Sequence, residues 1–152
     1  MQSTQLEKNI YSFLDTFDKS DINLVTYLEE VRLKILEQIK NNTELTDEFN
    51  DFIKKEKNYE KKMTVKENNI IINFLFVEKQ IVIDKKESNF HTLEIVLRGK
   101  KVYRIYDKIN KNKYLTCRLL PSYGVVYSSK TAISSKTSPN TSLICLTINE
   151  KS

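Results

Sequence analysis

The sequence predicts an α+β protein in which about three amino-terminal helices cover an antiparallel β-structure of about eight short strands. Apolar residues recur at helical spacing in the first third of the chain, and the pattern becomes strand-like from residue 63 onwards. No helical pattern separates the later strands, which favours antiparallel pairing over parallel βαβ units. We therefore expect a helical subdomain over residues 1–62 and a sheet sandwich or barrel over residues 63–152.

Each predicted helix follows a polar residue that can cap it. The candidate caps are Thr4 for the first helix, with Glu7 at capping-box spacing, Ser20 or Asp21 for the second, and Thr43 or Thr46 for the third. The second helix has the widest apolar stripe, so it should pack on two neighbours. We expect burial against strand residues such as Phe74 or Phe76 for the following helical side chains: Leu28, Val31, Ile35, Phe49 and Phe52.

The second part of the chain is predicted to form short strands separated by polar turns. The predicted strands cover residues 63–66, 69–77, 81–83, 90–98, 101–107, 114–120, 125–129, 131–133 and 143–148. Residues 69–77 are apolar on both faces, which indicates a central strand covered by helices on one side and by the β-structure on the other. The nearly all-polar residues 54–62 and 134–142 are interpreted as a connection and a loop.

Composition points to a soluble protein. The chain of 152 residues is 39% hydrophobic and 30% charged, with only two Gly and two Pro. The first residues do not have the pattern of a signal peptide, and no apolar run approaches the roughly 20 residues of a membrane helix. The two cysteines, Cys117 and Cys145, lie in predicted strands and lack zinc-site spacing, so we expect buried free thiols. A cytoplasmic location is the corresponding expectation.

The net charge of +5 is unevenly distributed along the chain. Residues 1–60 hold 8 Lys and Arg against 13 Asp and Glu, whereas residues 61–152 hold 17 against 7. The two parts therefore carry net charges of −5 and +10. This asymmetry allows the halves to complement each other within the chain, and it equally allows the basic half to bind an anionic partner.

The most strand-like run covers residues 90–99 and contains the only histidine, His91. In a strand the imidazole shares its face with the aliphatic residues Leu93, Ile95 and Leu97. Because these aliphatic side chains need burial, we predict that this face points into the interior of the β-structure. Glu94 then lies on the opposite face.

Two groups of residues carry a family resemblance: His91, Glu94 and Gly99, then Pro121, Gly124 and Tyr127, with Asn140 further on. With these positions, residues 69–148 resemble a single-domain cupin, a small antiparallel β-barrel of jelly-roll type. The first cupin motif runs from a His-x-His pair to a Glu and a Gly. The second has Pro and Gly, a His three residues after that Gly, and a later Asn. The resemblance places Tyr127 across the barrel from His91.

The resemblance implies a centre of histidines and a carboxylate that binds divalent iron, manganese or nickel, but several ligands differ here. Asn89 replaces one histidine of the pair, and Tyr127 replaces the histidine of the second motif. His91 and Glu94 are three residues apart, so a regular strand directs them to opposite faces. We therefore expect no metal cofactor. Divalent iron or manganese on an irregular site of His91, Glu94 and Tyr127 is the alternative.

Basic and aromatic residues alternate in the predicted strands after residue 98. Tyr103 and Ile105 alternate with Arg104 and Tyr106, so one face of this strand is predicted to be basic and exposed. Interleaved cations and aromatic rings on strands can follow a phosphate backbone and stack on bases. An ordinary outer sheet face has the same composition, so both interpretations stay open.

Together these observations predict a cupin-like binding protein without a complete metal centre, for a small or anionic ligand or a protein partner. The candidate ligand-binding residues are His91, Glu94, Tyr103 and Tyr127. One alternative is a metal-dependent cupin enzyme of dioxygenase or isomerase type, and another is a basic nucleic-acid-binding protein. No catalytic residue is assigned, no membrane partner is expected, and a homodimer is left open.

Overall fold

The computed structural model describes residues 5–17, 23–56, 58–65 and 68–149. Three helices come first: α1 (Gln5–Phe17), α2 (Leu24–Asn41) and α3 (Thr43–Glu56). The predicted caps Thr4, Ser20 and Asp21 lie outside the described residues. Asn23 caps α2 instead, because its side chain accepts a hydrogen bond from the Thr26 backbone N–H at 2.8 Å. None of the described helices is long and apolar enough to cross a membrane.

Nine antiparallel strands follow the helices and form two sheets. They are β1 (Tyr59–Val65), β2 (Asn68–Val77), β3 (Ile81–Glu87), β4 (His91–Arg98), β5 (Lys101–Tyr106), β6 (Tyr114–Leu119), β7 (Tyr123–Tyr127), β8 (Ala132–Thr137) and β9 (Thr141–Asn149). One sheet has five strands in the order β1-β2-β9-β4-β7, and the other has four in the order β3-β8-β5-β6. The predicted α+β class is confirmed.

The last eight strands pair in a nested pattern. β2 pairs with β9, β3 with β8, β4 with β7 and β5 with β6, and every pair is antiparallel. The chain thus folds as one long hairpin whose two arms pair along their length and divide between two sheets, which is the topology of a jelly roll. Within the described residues no strand belongs to both sheets, so the structure is an open sandwich rather than a closed barrel.

The helices form a third layer on the outer face of the five-stranded sheet. One hydrophobic core joins α1, α2 and α3 to side chains of β2, β4 and β9. At its centre the rings of Phe49 and Phe74 meet edge to face, with centroids 4.9 Å apart. Leu28, Val31 and Ile35 are buried in the same core, as the helical stripe predicted.

A second, smaller core lies between the two sheets. Its buried apolar residues are Val77, Val96, Tyr103, Leu119, Ile133 and Leu143. The central strand β2 contributes to both cores, as its two apolar faces predicted: Phe74 faces the helices, and Val77 faces the other sheet. The five-stranded sheet is therefore covered on both sides.

Three strands differ from the prediction. β1 begins at Tyr59, inside the predicted polar connection, and β3 continues to Glu87 through a predicted turn. β8 begins within the predicted strand 131–133 but continues to Thr137, through residues that were interpreted as a loop because they are Ser, Lys and Thr. That strand lies between β3 and β5, so backbone pairing on both edges holds it, and its small hydroxyl side chains at Ser135 and Thr137 are buried.

The turn between β4 and β5 depends on Gly99. This residue has a positive φ of +88°, and a Cβ atom there would lie 2.2 Å from the Thr141 hydroxyl oxygen. Only glycine tolerates both the backbone conformation and the close approach. The turn leads the chain from the five-stranded sheet into the four-stranded sheet.

Candidate functional site

Glu94 occupies the middle of β4, and its carboxylate lies between the two sheets. Lys101, the first residue of β5 in the opposite sheet, donates from Nζ to Glu94 Oε1 at 2.7 Å, and the two side chains are 8% and 6% exposed. The hydroxyls of Tyr103 and Tyr127 both donate to Oε2, the second at 3.3 Å. Both carboxylate oxygens therefore have partners, and the buried charge is paired.

The buried carboxylate changes the acidity of the groups around it. Burial, followed by the charge of Glu94, raises the pKa of both Tyr103 and Tyr127 well above the ordinary value of 10.0. The hydroxyls therefore stay protonated and remain donors. Burial and Glu94 also raise the pKa of Cys145, which lies directly opposite Glu94 on β9. Cys145 and Cys117 are both free thiols, as predicted, but both residues are half-buried rather than buried.

His91 lies on the other face of the same strand. Its register partner on β9 is Ile148, and it shares its strand face with Leu93. Ile148 and Leu93 both belong to the core beneath the helices. The prediction that this face points into the interior of the β-structure is therefore wrong. It failed because both faces of the five-stranded sheet are covered, so an aliphatic face can point towards the helices. His91 Nδ1 accepts the backbone N–H of Ser129 at 3.1 Å.

The structure brings three of the four predicted ligand-binding residues together: Glu94, Tyr103 and Tyr127. Tyr127 is on β7, next to β4 in the same sheet and opposite Thr92, so the predicted placement across the barrel from His91 is wrong. Gly124, from the same motif, allows α2 to approach β7: a Cβ atom there would lie 2.9 Å from Ile95 and 3.2 Å from Arg32.

The residues at the cupin metal position do not fit a metal ion. His91 and Glu94 lie on opposite faces of the sheet. The Lys101 ammonium already occupies one oxygen of Glu94, where a cation would bind. Across the described ranges, no three His, Cys, Asp or Glu side chains converge on a point that could hold a metal. No metal chemistry is assigned to these residues.

A basic concave surface lies on the outer face of the four-stranded sheet, away from the helices. It encloses about 570 Å³ and is lined by five exposed cationic side chains: Lys85, Lys100, Arg104, Arg118 and Lys136. Asp84 is the one carboxylate in its lining. We call this surface the basic groove.

Strand alternation builds the basic groove. In β5, Tyr103 is buried between the sheets while Arg104 is exposed on the outer face, so the predicted basic face is confirmed. Arg118 of β6 and Lys136 of β8 lie on either side of Val102 in the strand register. The contribution of Lys136 to the groove was not predicted, because this residue lies in the predicted loop 134–142. In β8 it alternates with the buried Ser135 and Thr137.

The described residues of the acidic amino-terminal part pack away from the basic groove. The helices pack on β2, β4 and β7 of the five-stranded sheet, and the four-stranded sheet lies behind that layer. Asp47 of α3 forms an ion pair with Arg98 of β4, which lies outside the groove lining. Among the residues that the structure describes, complementarity within the chain therefore does not account for the cations of the groove.

Comparisons with known proteins give fold-level likenesses. No family model matches the chain, and no curated protein matches its sequence significantly. A Bacillus halodurans structure is 10% identical over 68% of this chain and 80% of its own, with a TM-score of 0.50. A cupin superfamily protein from Desulfitobacterium hafniense is 13% identical, with coverages of 62% and 81% and a TM-score of 0.42. The Drosophila melanogaster CENP-C cupin domain is 11% identical over 59% of this chain and 75% of its own, with a TM-score of 0.43.

The nested pairing of β2–β9 defines the class of the β-structure as an eight-stranded jelly roll, extended at one edge by β1. The fold is cupin-like, as the resemblance predicted, with a helical layer on one sheet. At these sequence identities the likeness concerns the fold alone.

Proposed function

We propose that this protein binds a phosphate-rich anionic ligand in the basic groove on the outer face of the four-stranded sheet. The observation that carries the proposal is the convergence of five exposed cations on one concave surface with a single carboxylate. Like charges gathered in a concavity repel one another and produce a local positive potential that attracts an anion. Arg104 and Arg118 add planar guanidinium groups, which bind phosphate oxygens in pairs.

The buried cluster around Glu94 is less suited to bind a ligand than the basic groove is. A ligand that bound there would have to displace the Lys101 ammonium from Glu94 Oε1 and enter a site whose side chains are nearly inaccessible. A ligand-binding role of His91, Glu94, Tyr103 and Tyr127 stays a prediction that this burial does not favour. The basic groove needs no such rearrangement, because its cations already face solvent.

Isothermal titration calorimetry with sodium tripolyphosphate tests the proposal. We expect saturable binding at one site, and we expect Arg104→Glu to weaken it at least about tenfold, since charge-assisted hydrogen bonds contribute roughly 1.5–3 kcal/mol each. Lys62→Glu is the matched control, because Lys62 lies on β1 of the other sheet with a 76% exposed side chain. It changes the net charge equally and should leave the affinity within about twofold.

Two results would contradict the proposal. One is the absence of saturable binding by the folded protein at low salt. The other is equal weakening by Arg104→Glu and Lys62→Glu, which would mean that net charge alone attracts the anion. An acidic protein segment remains a second kind of occupant, and its binding in place of tripolyphosphate would also count against the proposal.

A further inference from the structure

The basic groove continues into a second concave surface along the same sheet. This surface encloses about 430 Å³ and shares Lys85 and Tyr106 with the groove. Its further cations are Lys86, Lys108, Lys111 and Lys130, which outnumber its two carboxylates, Glu87 and Asp107. The two surfaces together extend along the whole of β5, Lys101–Tyr106, whose five residue steps at about 3.3 Å each give roughly 17 Å. A track of this length fits an extended polyanion better than a single small anion.

Two neighbouring aromatic rings lie between two cations in the middle of this track. Lys85 Nζ lies 4.2 Å from the centroid of the Tyr106 ring, and the Tyr106 and Tyr114 centroids are 5.5 Å apart. The Arg104 guanidinium carbon then lies 4.7 Å from the centroid of Tyr114. We call these four residues the stacking ladder.

Lys85, Arg104 and Tyr114 of the stacking ladder are exposed to solvent, and Tyr106 is half-buried. The Tyr114 side chain is 45% exposed. An open concavity of about 590 Å³ borders the ladder beside Tyr106 and Tyr114, and its other lining residues are Ile105, Asp107, Asn112, Lys113 and Leu115. A concavity with apolar side chains beside an exposed aromatic ring suits the flat face of a base.

We infer that the polyanion is a single-stranded nucleic acid, whose phosphates follow the basic track and whose bases stack on Tyr114 and Tyr106. This inference rests on the proposed function and adds the class of ligand to it. In a duplex the faces of the bases stack on one another, so the ladder is open only to unpaired bases. Stacking does not depend on base identity, and binding should therefore tolerate different sequences.

Fluorescence anisotropy with labelled 15-nucleotide probes tests the inference on the full chain. The probes are oligothymidylate, oligouridylate, an abasic chain of equal length and a DNA duplex. We expect the two single strands to bind at least about fivefold more tightly than the abasic chain, the amount that stacking of one base contributes. Affinity should fall with salt, because bound phosphates release counterions.

Two variants locate the stacking. Tyr114→Leu should weaken oligothymidylate binding at least about fivefold more than it weakens tripolyphosphate binding, because Tyr114 contacts the Arg104 guanidinium but contributes no charge of its own. Tyr123→Leu is the matched control, because Tyr123 is 51% exposed on β7 of the other sheet, and it should have no effect on either ligand. The melting temperature of each variant checks that it is folded.

The possible failures are distinguishable. Equal affinity for the abasic chain, an unchanged affinity in Tyr114→Leu, or tighter binding of the duplex would each overturn the single-strand inference while the proposed anion binding stands. Binding of neither the oligonucleotides nor tripolyphosphate would overturn both.

Discussion

Glu94 and Lys101 form a buried ion pair that connects the two sheets of the sandwich, with 2.7 Å between Glu94 Oε1 and Lys101 Nζ. Glu94 is the carboxylate in the first group of residues that carried the cupin resemblance, whereas Lys101 lies outside that group. Because Tyr103 and Tyr127 also donate to this carboxylate, the cluster is fully hydrogen-bonded at its oxygens. It acts as a structural link rather than an open site.

Removing one partner of this pair should destabilise the protein strongly. Lys101→Met leaves Glu94 charged and unpaired in the interior, which typically costs about 3–5 kcal/mol in the free energy of unfolding. The double variant Glu94→Gln, Lys101→Met should recover part of this loss, because no buried charge remains. Urea unfolding of the wild type, both single variants and the double variant measures the coupling. A change of less than about 0.5 kcal/mol in Lys101→Met would show that the pair is not structural.

Stability should fall in alkaline solution because of the two tyrosines beside Glu94. Their pKa values are raised in the folded protein, so their contribution is fully present below the unfolded value of about 10 and is lost as the pH rises above it. Above pH 10, each tyrosine should lower the free energy of unfolding by up to about 1.4 kcal/mol per pH unit. Urea unfolding at pH 9 and pH 11 measures this loss. The double variant Tyr103→Phe, Tyr127→Phe should lose less stability between these two values, and an identical loss would disprove the assignment.

The protein should purify without a stoichiometric transition metal. The reason is the placement of His91 beneath the helices and of the Lys101 ammonium on Glu94, which together leave no ligand set at the cupin position. Elemental analysis of protein purified without chelator measures the content. About one iron, manganese, nickel or zinc per chain, lost in Glu94→Ala but retained in the control Glu60→Ala, would restore the enzyme alternative.

The helical layer should be required for the stability of the sandwich. Leu28 is fully buried in the core shared by the helices and the five-stranded sheet. Leu28→Ala should therefore cost about 2–5 kcal/mol in the free energy of unfolding. Leu33→Ala, at a 58% exposed position of the same helix, should cost less than about 1 kcal/mol. A fragment of residues 63–152 with the melting temperature of the whole chain would contradict the prediction.

The sequence predicted the elements better than their arrangement. Periodicity located the helices and the doubly apolar β2, because each pattern depends on neighbours in the same element. It could not decide which face of β4 meets the helices, since both faces are buried and both contain residues that tolerate burial. It also predicted only the first two residues of β8, because the polar residues 134–137 lack an apolar strand pattern and are held by pairing on both edges.

The candidate site was predicted in parts. Alternation in β5 correctly separated the buried Tyr103 from the exposed Arg104. The pairing of Glu94 with Lys101 was not predicted, because the two residues lie in different sheets and meet only through the turn at Gly99. The basic groove likewise needed the strand order β3-β8-β5-β6, which places Lys85, Lys136 and Arg118 around Arg104. Pairing order of this kind depends on contacts between distant parts of the chain.

The most direct test of the account is a titration of the ¹⁵N-labelled full chain with sodium tripolyphosphate, followed by amide chemical shifts. Ligand binding in the basic groove predicts that the largest shift changes cluster on β3, β5 and β8, around Lys85, Arg104 and Lys136. The amides of α1, α2 and α3, on the far side of the five-stranded sheet, should remain unchanged. Changes concentrated on the helices, or on Glu94 and Tyr127 in the interior, would contradict the central claim that the anion binds on the outer face of the four-stranded sheet.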